Sequence, residues 1–201
     1  TGSRVEFDKV YCNKSKLTIN GFNKFNEFKT NDYTYFPIDQ EILDLRLEAG
    51  AKLVLQPSYV NKVKNLYAYG SCSNPIIIES NWSGKNAIIQ TFASGDDYFL
   101  DNVFIESVAL DVSNGTPSFG VNNTHYDLTG GNQWSAASSN NNGTTFTWVG
   151  NGNDDNWNNP DNWYVNGNST LCIPSPIDNV EFLASSFSAQ NQSVILTNSN
   201  G

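Results

Sequence analysis

The chain has 201 residues, with 20 acidic and 11 basic side chains, one His, three Cys, no Met and a formal net charge of −9. That length predicts one domain, or one and part of another. No run of roughly 18 apolar residues and no basic-then-apolar leader is present, so the sequence predicts neither a membrane-spanning helix nor a signal peptide of its own.

All Lys and Arg lie between Arg4 and Lys85, whereas the stretch from Asn86 onward holds eleven acids and no base. The second half would repel a phosphate backbone, because binding one requires Lys or Arg to displace counterions. Nucleic acid is excluded as a partner on this ground, and an acidic surface fits an extracellular chain that can gather cations. The opening Thr1-Gly2-Ser3 is of the kind left by cloning, and Asn198-Ser199-Asn200-Gly201 is a loose run; both predict a segment cut from something longer.

Asn occurs 30 times, twelve of them between Gly131 and Asn168. Asn tolerates the left-handed region and bonds to its own backbone, so it belongs in turns. Between these turns lie Val, Ile, Leu, Phe and Tyr, which favour strands. In chain order the strand-like runs are 16–19, 22–28, 43–47, 52–55, 63–69, 75–78, 87–92, 98–105 and 108–112. Residues 39–49 alone tempt a helix assignment, but alternation at Leu43, Leu45 and Leu47 favours a strand.

The fold class is therefore all-β. Short strands at this regular spacing predict a sandwich, a barrel or a solenoid. Continuous apolar runs such as Ile76-Ile77-Ile78 and Val103-Phe104-Ile105 suit stacked parallel strands whose outer face is partly covered. Two or three strands per turn give coils of roughly 20–30 residues, each resting on its neighbours. The expectation is a right-handed parallel β-helix, or solenoid, followed by the start of a second β module; antiparallel β-sandwich modules are the alternative. Residues 129–145 have linker composition. This places a solenoid module at 1–138, a linker at 139–145 and a tryptophan-rich module at 146–201.

The second module carries the most specific pattern. It opens with Phe146-Thr147-Trp148-Val149-Gly150 and an Asn/Asp-rich loop to Trp157. Asn158-Asn159-Pro160-Asp161-Asn162-Trp163, Cys172-Ile173-Pro174 and Asp178-Asn179-Val180-Glu181-Phe182 follow. This W-x-G…W…NW…P…D-x-V order resembles the start of a repeat in very large secreted surface proteins of the Bacteroidota. The first module resembles the tail of the preceding repeat, in Gly70-Ser71-Cys72-Ser73-Asn74-Pro75-Ile76-Ile77-Ile78-Glu79-Ser80, Ser83-Gly84, Phe99-Leu100-Asp101-Asn102-Val103-Phe104-Ile105 and Gly130-Gly131-Asn132-Gln133-Trp134. The resemblance implies export by type IX secretion and a role like that of SprB-like gliding adhesins: a non-catalytic structural or adhesive segment at the bacterial cell surface, in gliding motility or attachment. Its partners would be neighbouring repeats of the same chain and a surface polysaccharide or other extracellular ligand, without membrane insertion. The alternative is a carbohydrate-binding module or a fragment of a β-helix polysaccharide-degrading enzyme.

An open solenoid end exposes backbone edges and apolar core, and Trp148, Trp157 and Trp163 could lie across such an end, each burying ~150–250 Å². Alternatively Trp157 or Trp163 forms an exposed carbohydrate-binding platform. Calcium is the one cofactor considered: Asn151, Asn153, Asp154 and Asp155 could supply hard oxygens, although the EF-hand pattern fails because Asn156 and Asn162 stand where Gly and Glu are needed.

Paired acids at Asp96-Asp97 and Asp154-Asp155 suggest glycoside hydrolysis only if they face each other across a cleft. With His125 the sole His and no G-x-S-x-G, HExxH or phosphate-loop pattern, the expectation is no enzyme. Three Cys permit three pairings, of which Cys12–Cys72, within the first module, is preferred; all three buried as small apolar groups is the alternative.

Overall fold

The computed structural model describes residues 4–13, 16–120, 124–129, 134, 143–187 and 192–196. The chain divides into two compact units, Thr1–Ser139 and Asn140–Gly201. The expected linker lies outside the described residues over 139–142, as do Gly130–Gln133 of the first module's closing motif and both chain ends.

The first unit is a parallel β-solenoid of six coils. Its first four coils each hold two strands: β1 (Val5–Cys12) and β2 (Leu17–Thr18), β3 (Asn23–Thr30) and β4 (Tyr33–Phe36), β5 (Gln40–Glu48) and β6 (Lys52–Leu55), β7 (Val60–Tyr69) and β8 (Ile76–Ser80). The last two coils hold three: β9 (Ala87–Gln90), β10 (Asp97–Asp101) and β11 (Val103–Glu106), then β12 (Val108–Asp111), β13 (Ser118–Phe119) and β14 (His125–Asp127). One sheet runs β1-β3-β5-β7-β10-β13, with β9 and β12 stacked on the first half of β7; the other runs β14-β11-β8-β6-β4-β2. Every pairing within these sheets is parallel. The antiparallel sandwich is thereby excluded.

The mixed periodicity of residues 39–49 has a local cause. In β3, β5 and β7 two successive residues point outward, at Asn26-Glu27, Leu43-Asp44 and Lys64-Asn65, and the pairing register skips the first of each pair. The strand turns a corner there, so the inward set becomes Gln40, Ile42, Leu45 and Leu47 rather than a strict alternation. Stacking these corners aligns Phe28, Leu45 and Leu66 in one buried column and Phe25, Ile42 and Val63 in another.

The apolar run 98–112 is divided by single residues in the left-handed region, Asn102 (φ 50°) and Ser107 (φ 53°). The next coil supplies hydroxyl acceptors for their backbone N–H groups: Thr124 Oγ1 at 2.8 Å from Asn102 N and Thr129 Oγ1 at 3.0 Å from Ser107 N. Outside these corners Phe104 is covered by Tyr126, the rings stacked 5.0 Å apart. That contact accounts for the third consecutive apolar residue in Val103-Phe104-Ile105. Trp134 lies against the last coils, its indole N–H donating to Val108 O at 2.7 Å and its rings packing on Tyr98 and His125.

The second unit contains a four-stranded sheet in the order β17-β16-β15-β18, from β15 (Thr145–Trp148), β16 (Trp163–Val165), β17 (Asn168–Ser169) and β18 (Asn179–Glu181). β16 pairs antiparallel with β15 and β17, whereas β18 pairs parallel with β15.

Candidate functional site

The tryptophans of the second unit are core residues of that unit. Trp163 is fully buried and meets Trp148 and Trp157 edge-on, at ring centroid distances of 4.9 and 4.7 Å. Its indole N–H donates to Trp157 O at 2.8 Å. Trp163 therefore offers no face to a sugar, and Trp157 is half-buried with its ring packed on Trp163. Of the two residues expected to form a carbohydrate platform, Trp163 is closed to a ligand, whereas Trp157 keeps part of its surface exposed.

The Asn/Asp loop is closed by its own hydrogen bonds. Asn162, fully buried, donates from Nδ2 to Asp154 Oδ1 (2.8 Å), Asp154 O (3.1 Å) and Asn156 O (3.0 Å), and its Oδ1 accepts from Gly152 N (2.7 Å). Asp154 also accepts from Asn156 N at 3.1 Å and Asn159 Nδ2 at 3.1 Å. The Asn156 N–H, followed by the Asn159 and Asn162 amides, holds the Asp154 carboxyl below its usual range.

The other expected calcium ligands each have a separate local role. Asn151 donates to the Tyr164 hydroxyl, Asn153 holds a left-handed turn at φ 58°, and Asp155 O accepts from Ile195 N. Among the described residues no three His, Cys, Asp or Glu side chains are grouped as for a metal ion. The rest of the motif is also structural: Asn159 caps the short helical turn that starts at Pro160, and Asp178 binds the N–H groups of Thr144 and Ser175 at 2.8 Å each.

The paired acids of the first unit separate in role. Asp96 is buried and accepts from Phe92 N (2.7 Å) and Ala93 N (2.8 Å), whereas Asp97 is exposed at the start of β10. The expected Cys12–Cys72 pairing does not form. The register explains why: Cys12 aligns with Thr30, then Leu47, then Ala68, placing it three rungs from the end of β7. At ~4.8 Å per rung that is ~14 Å, beyond the ~4.4–6.8 Å Cα separation a disulfide spans. His125 is buried, stacks on Phe119 at 5.7 Å and is pushed below its ordinary pKa by desolvation.

The described surface concentrates chemistry elsewhere, on the outer face of β1, β3 and β5. An open groove of about 530 Å³ there is lined by Lys9, Tyr11, Glu27, Lys29, Arg46 and Glu48, with Asn13 and Asn31 at its rim. The strands build it by stacking. Tyr11, Lys29, Arg46 and Tyr67 occupy one outward column and Lys9, Glu27, Asp44 and Asn65 another.

Lys9 and Arg46 are loosely paired, whereas Lys29 and Glu48 form a close ion pair. Lys9 Nζ is 3.6 Å from Glu27, Arg46 Nε is 3.7 Å from the same carboxylate, and Lys29 pairs with Glu48. Arg46 lies over the Tyr67 ring at 4.5 Å, and Tyr67 stacks on Phe99. Asn31 Nδ2 donates to Asn13 Oδ1 at 2.9 Å. Tyr11, ahead of Glu27, raises the Lys9 pKa. Tyr11 is 59 % exposed. These residues do not stand out as a group in the sequence, because they lie 17 to 21 positions apart at unequal spacing and only the coil register brings them together.

Compared with known protein families, curated proteins and solved structures, the chain finds no match.

Proposed function

We propose that the chain is a non-catalytic structural and adhesive segment of a large bacterial cell-surface adhesin, displayed outside the cell in the manner of type IX secretion substrates and SprB-like gliding adhesins. The observation that carries this reading is the division of labour in the second unit. Trp148, Asn162, Trp163 and Asp178, which make its sequence pattern distinctive, are engaged in packing and loop closure. A motif with that use marks a building block. The solenoid supports the same reading, since each coil rests on its neighbours and adds one rung of ~4.8 Å to a continuous core.

Beads coated with the protein, placed under flow on glass bearing acidic polysaccharide, neutral glucan or protein, test the adhesive half. Retention on at least one surface above that of uncoated beads is expected. Retention on none removes adhesion, and appearance of shortened saccharides in the eluate overturns the non-catalytic half.

A further inference from the structure

We propose that the groove over β1, β3 and β5 binds a linear acidic polysaccharide, one whose sugar rings carry carboxylate or sulfate groups. The proposal deepens the adhesive reading and rests on it.

The groove's charge carries the first step. Lys9, Lys29 and Arg46 face it with Glu27 and Glu48, an excess of one positive charge in a chain of net −9. The Lys9 side chain is 55 % exposed and that of Arg46 39 %, and their contacts with Glu27, at 3.6 and 3.7 Å, are longer than a charge-assisted hydrogen bond. Arg presents five N–H donors in a planar fork, so an incoming carboxylate or sulfate can be bound by Arg46 without breaking a tight pair.

Rings and amides carry the second step. Tyr11 presents an exposed aromatic face beside the cations, and such a face packs on the C–H side of a pyranose. Glu27 and Glu48 can accept from sugar hydroxyls, and the Asn13–Asn31 pair offers both donors and acceptors at the rim. Rungs ~4.8 Å apart repeat this chemistry at an interval comparable to one sugar ring, which matches a polymer better than a single small anion. A nucleic acid fits less well: its dense phosphates would meet a groove of only one excess positive charge and a chain with eleven acids and no base after Lys85.

Calorimetry on the intact chain with oligogalacturonate, dextran sulfate and unmodified dextran tests the proposal. Lys29→Gln combined with Arg46→Gln, and separately Tyr11→Ala, should weaken binding of one or both acidic saccharides by roughly tenfold or more. Lys62→Gln with Lys64→Gln, exposed on β7 outside the groove, should leave it unchanged. Lys9→Gln and Tyr11→Ala alter exposed side chains, so they decide the matter if loss of the Arg46–Tyr67 contact lowers the melting temperature.

No binding of either acidic saccharide, equal binding of dextran, or equal loss in the β7 control would overturn the proposal. The two readings fail separately. Beads that adhere to no surface sink the adhesive reading, whereas beads whose retention is unaffected by the groove substitutions leave adhesion standing and sink the groove.

Discussion

Two buried polar side chains in the solenoid lack the partners that burial normally demands. Asn61 faces inward on β7, 1 % exposed, and neither its Nδ2 nor its Oδ1 has a hydrogen-bond partner among the described residues. The inward column explains its position without satisfying it. Asn23 and Gln40 in the two coils before it share hydrogen bonds with each other and with Gly21 O, whereas the next rung presents Ile89. Asn61 stands where an amide column gives way to an apolar one. A buried amide left unsatisfied costs about 1–3 kcal/mol. Asn61→Leu should therefore raise stability by about that amount, read as a higher urea midpoint with an unchanged slope; a lower midpoint would mean that the amide is satisfied in solution.

His125 works in the opposite sense. Desolvation lowers its pKa in the folded chain, against a weaker raising effect of Asp127. The unfolded chain then binds the proton more readily, so the stability His125 contributes is present above its ordinary value of about 6.5 and is lost as pH falls below it. Thermal melts from pH 8 to pH 5 should show a decline setting in near pH 6.5 that is reduced in His125→Phe; an identical decline in the variant would assign it to the carboxylates.

Among the elements, the loop from Gly150 to Trp163 is centred on one buried side chain. Asn162 both donates and accepts, and only an amide does both from the same place. Asn162→Asp removes the two-hydrogen donor and sets a second carboxylate beside Asp154 Oδ1, now 2.8 Å from Nδ2. The expected loss is about 2–4 kcal/mol, from unsatisfied carbonyls and like charge. It should be visible as loss of near-ultraviolet tryptophan dichroism, while strand-forming amides of β5 and β7 keep their exchange protection. Retention of that dichroism would show that Trp148, Trp157 and Trp163 hold the loop without the amide.

This element also shows where sequence reading stops. The N-W pair was legible as a motif, and its burial was not. Whether an indole faces water depends on Phe146 and Phe182, which lie along the chain on either side and return to it only through the pairing of β15 with β16 and β18. The solenoid was legible from its apolar runs, yet β1 and β4 were passed over. Val5-Glu6-Phe7-Asp8-Lys9-Val10-Tyr11-Cys12 alternates apolar with charged residues and breaks step at its corner, and Tyr33–Phe36 is only four residues long. The groove was hidden for a related reason: coil lengths vary, so residues that stack are not equally spaced.

At the scale of the whole solenoid, stability is set by neighbours. An interior coil has a rung on each side, and its residues are sealed: Phe28, Leu45 and Leu66 form a column with at most 1 % exposure. At the first coil Val5 and Phe7 are 48 % and 40 % exposed, and Val10, Leu17 and Ile19 are only partly covered. The last coils are sealed by Trp134, which spans Tyr98 and His125. In a stack held by nearest-neighbour contacts, coils with one neighbour open before those with two.

Amide exchange should therefore be fastest in β1 and β2, slowest in β5 and β7, and intermediate in β12 and β14. Leu45→Ala should cost about 2–5 kcal/mol, as for a sealed core site, and should speed exchange throughout the solenoid. Val10→Ala removes fewer methyl groups from a half-covered site, so its effect should be smaller and confined to β1 and its immediate neighbour. Uniform protection from β1 to β14, or equal effects of the two substitutions, would mean that the six coils unfold as one unit and that the stack transmits a loss at its edge to its centre.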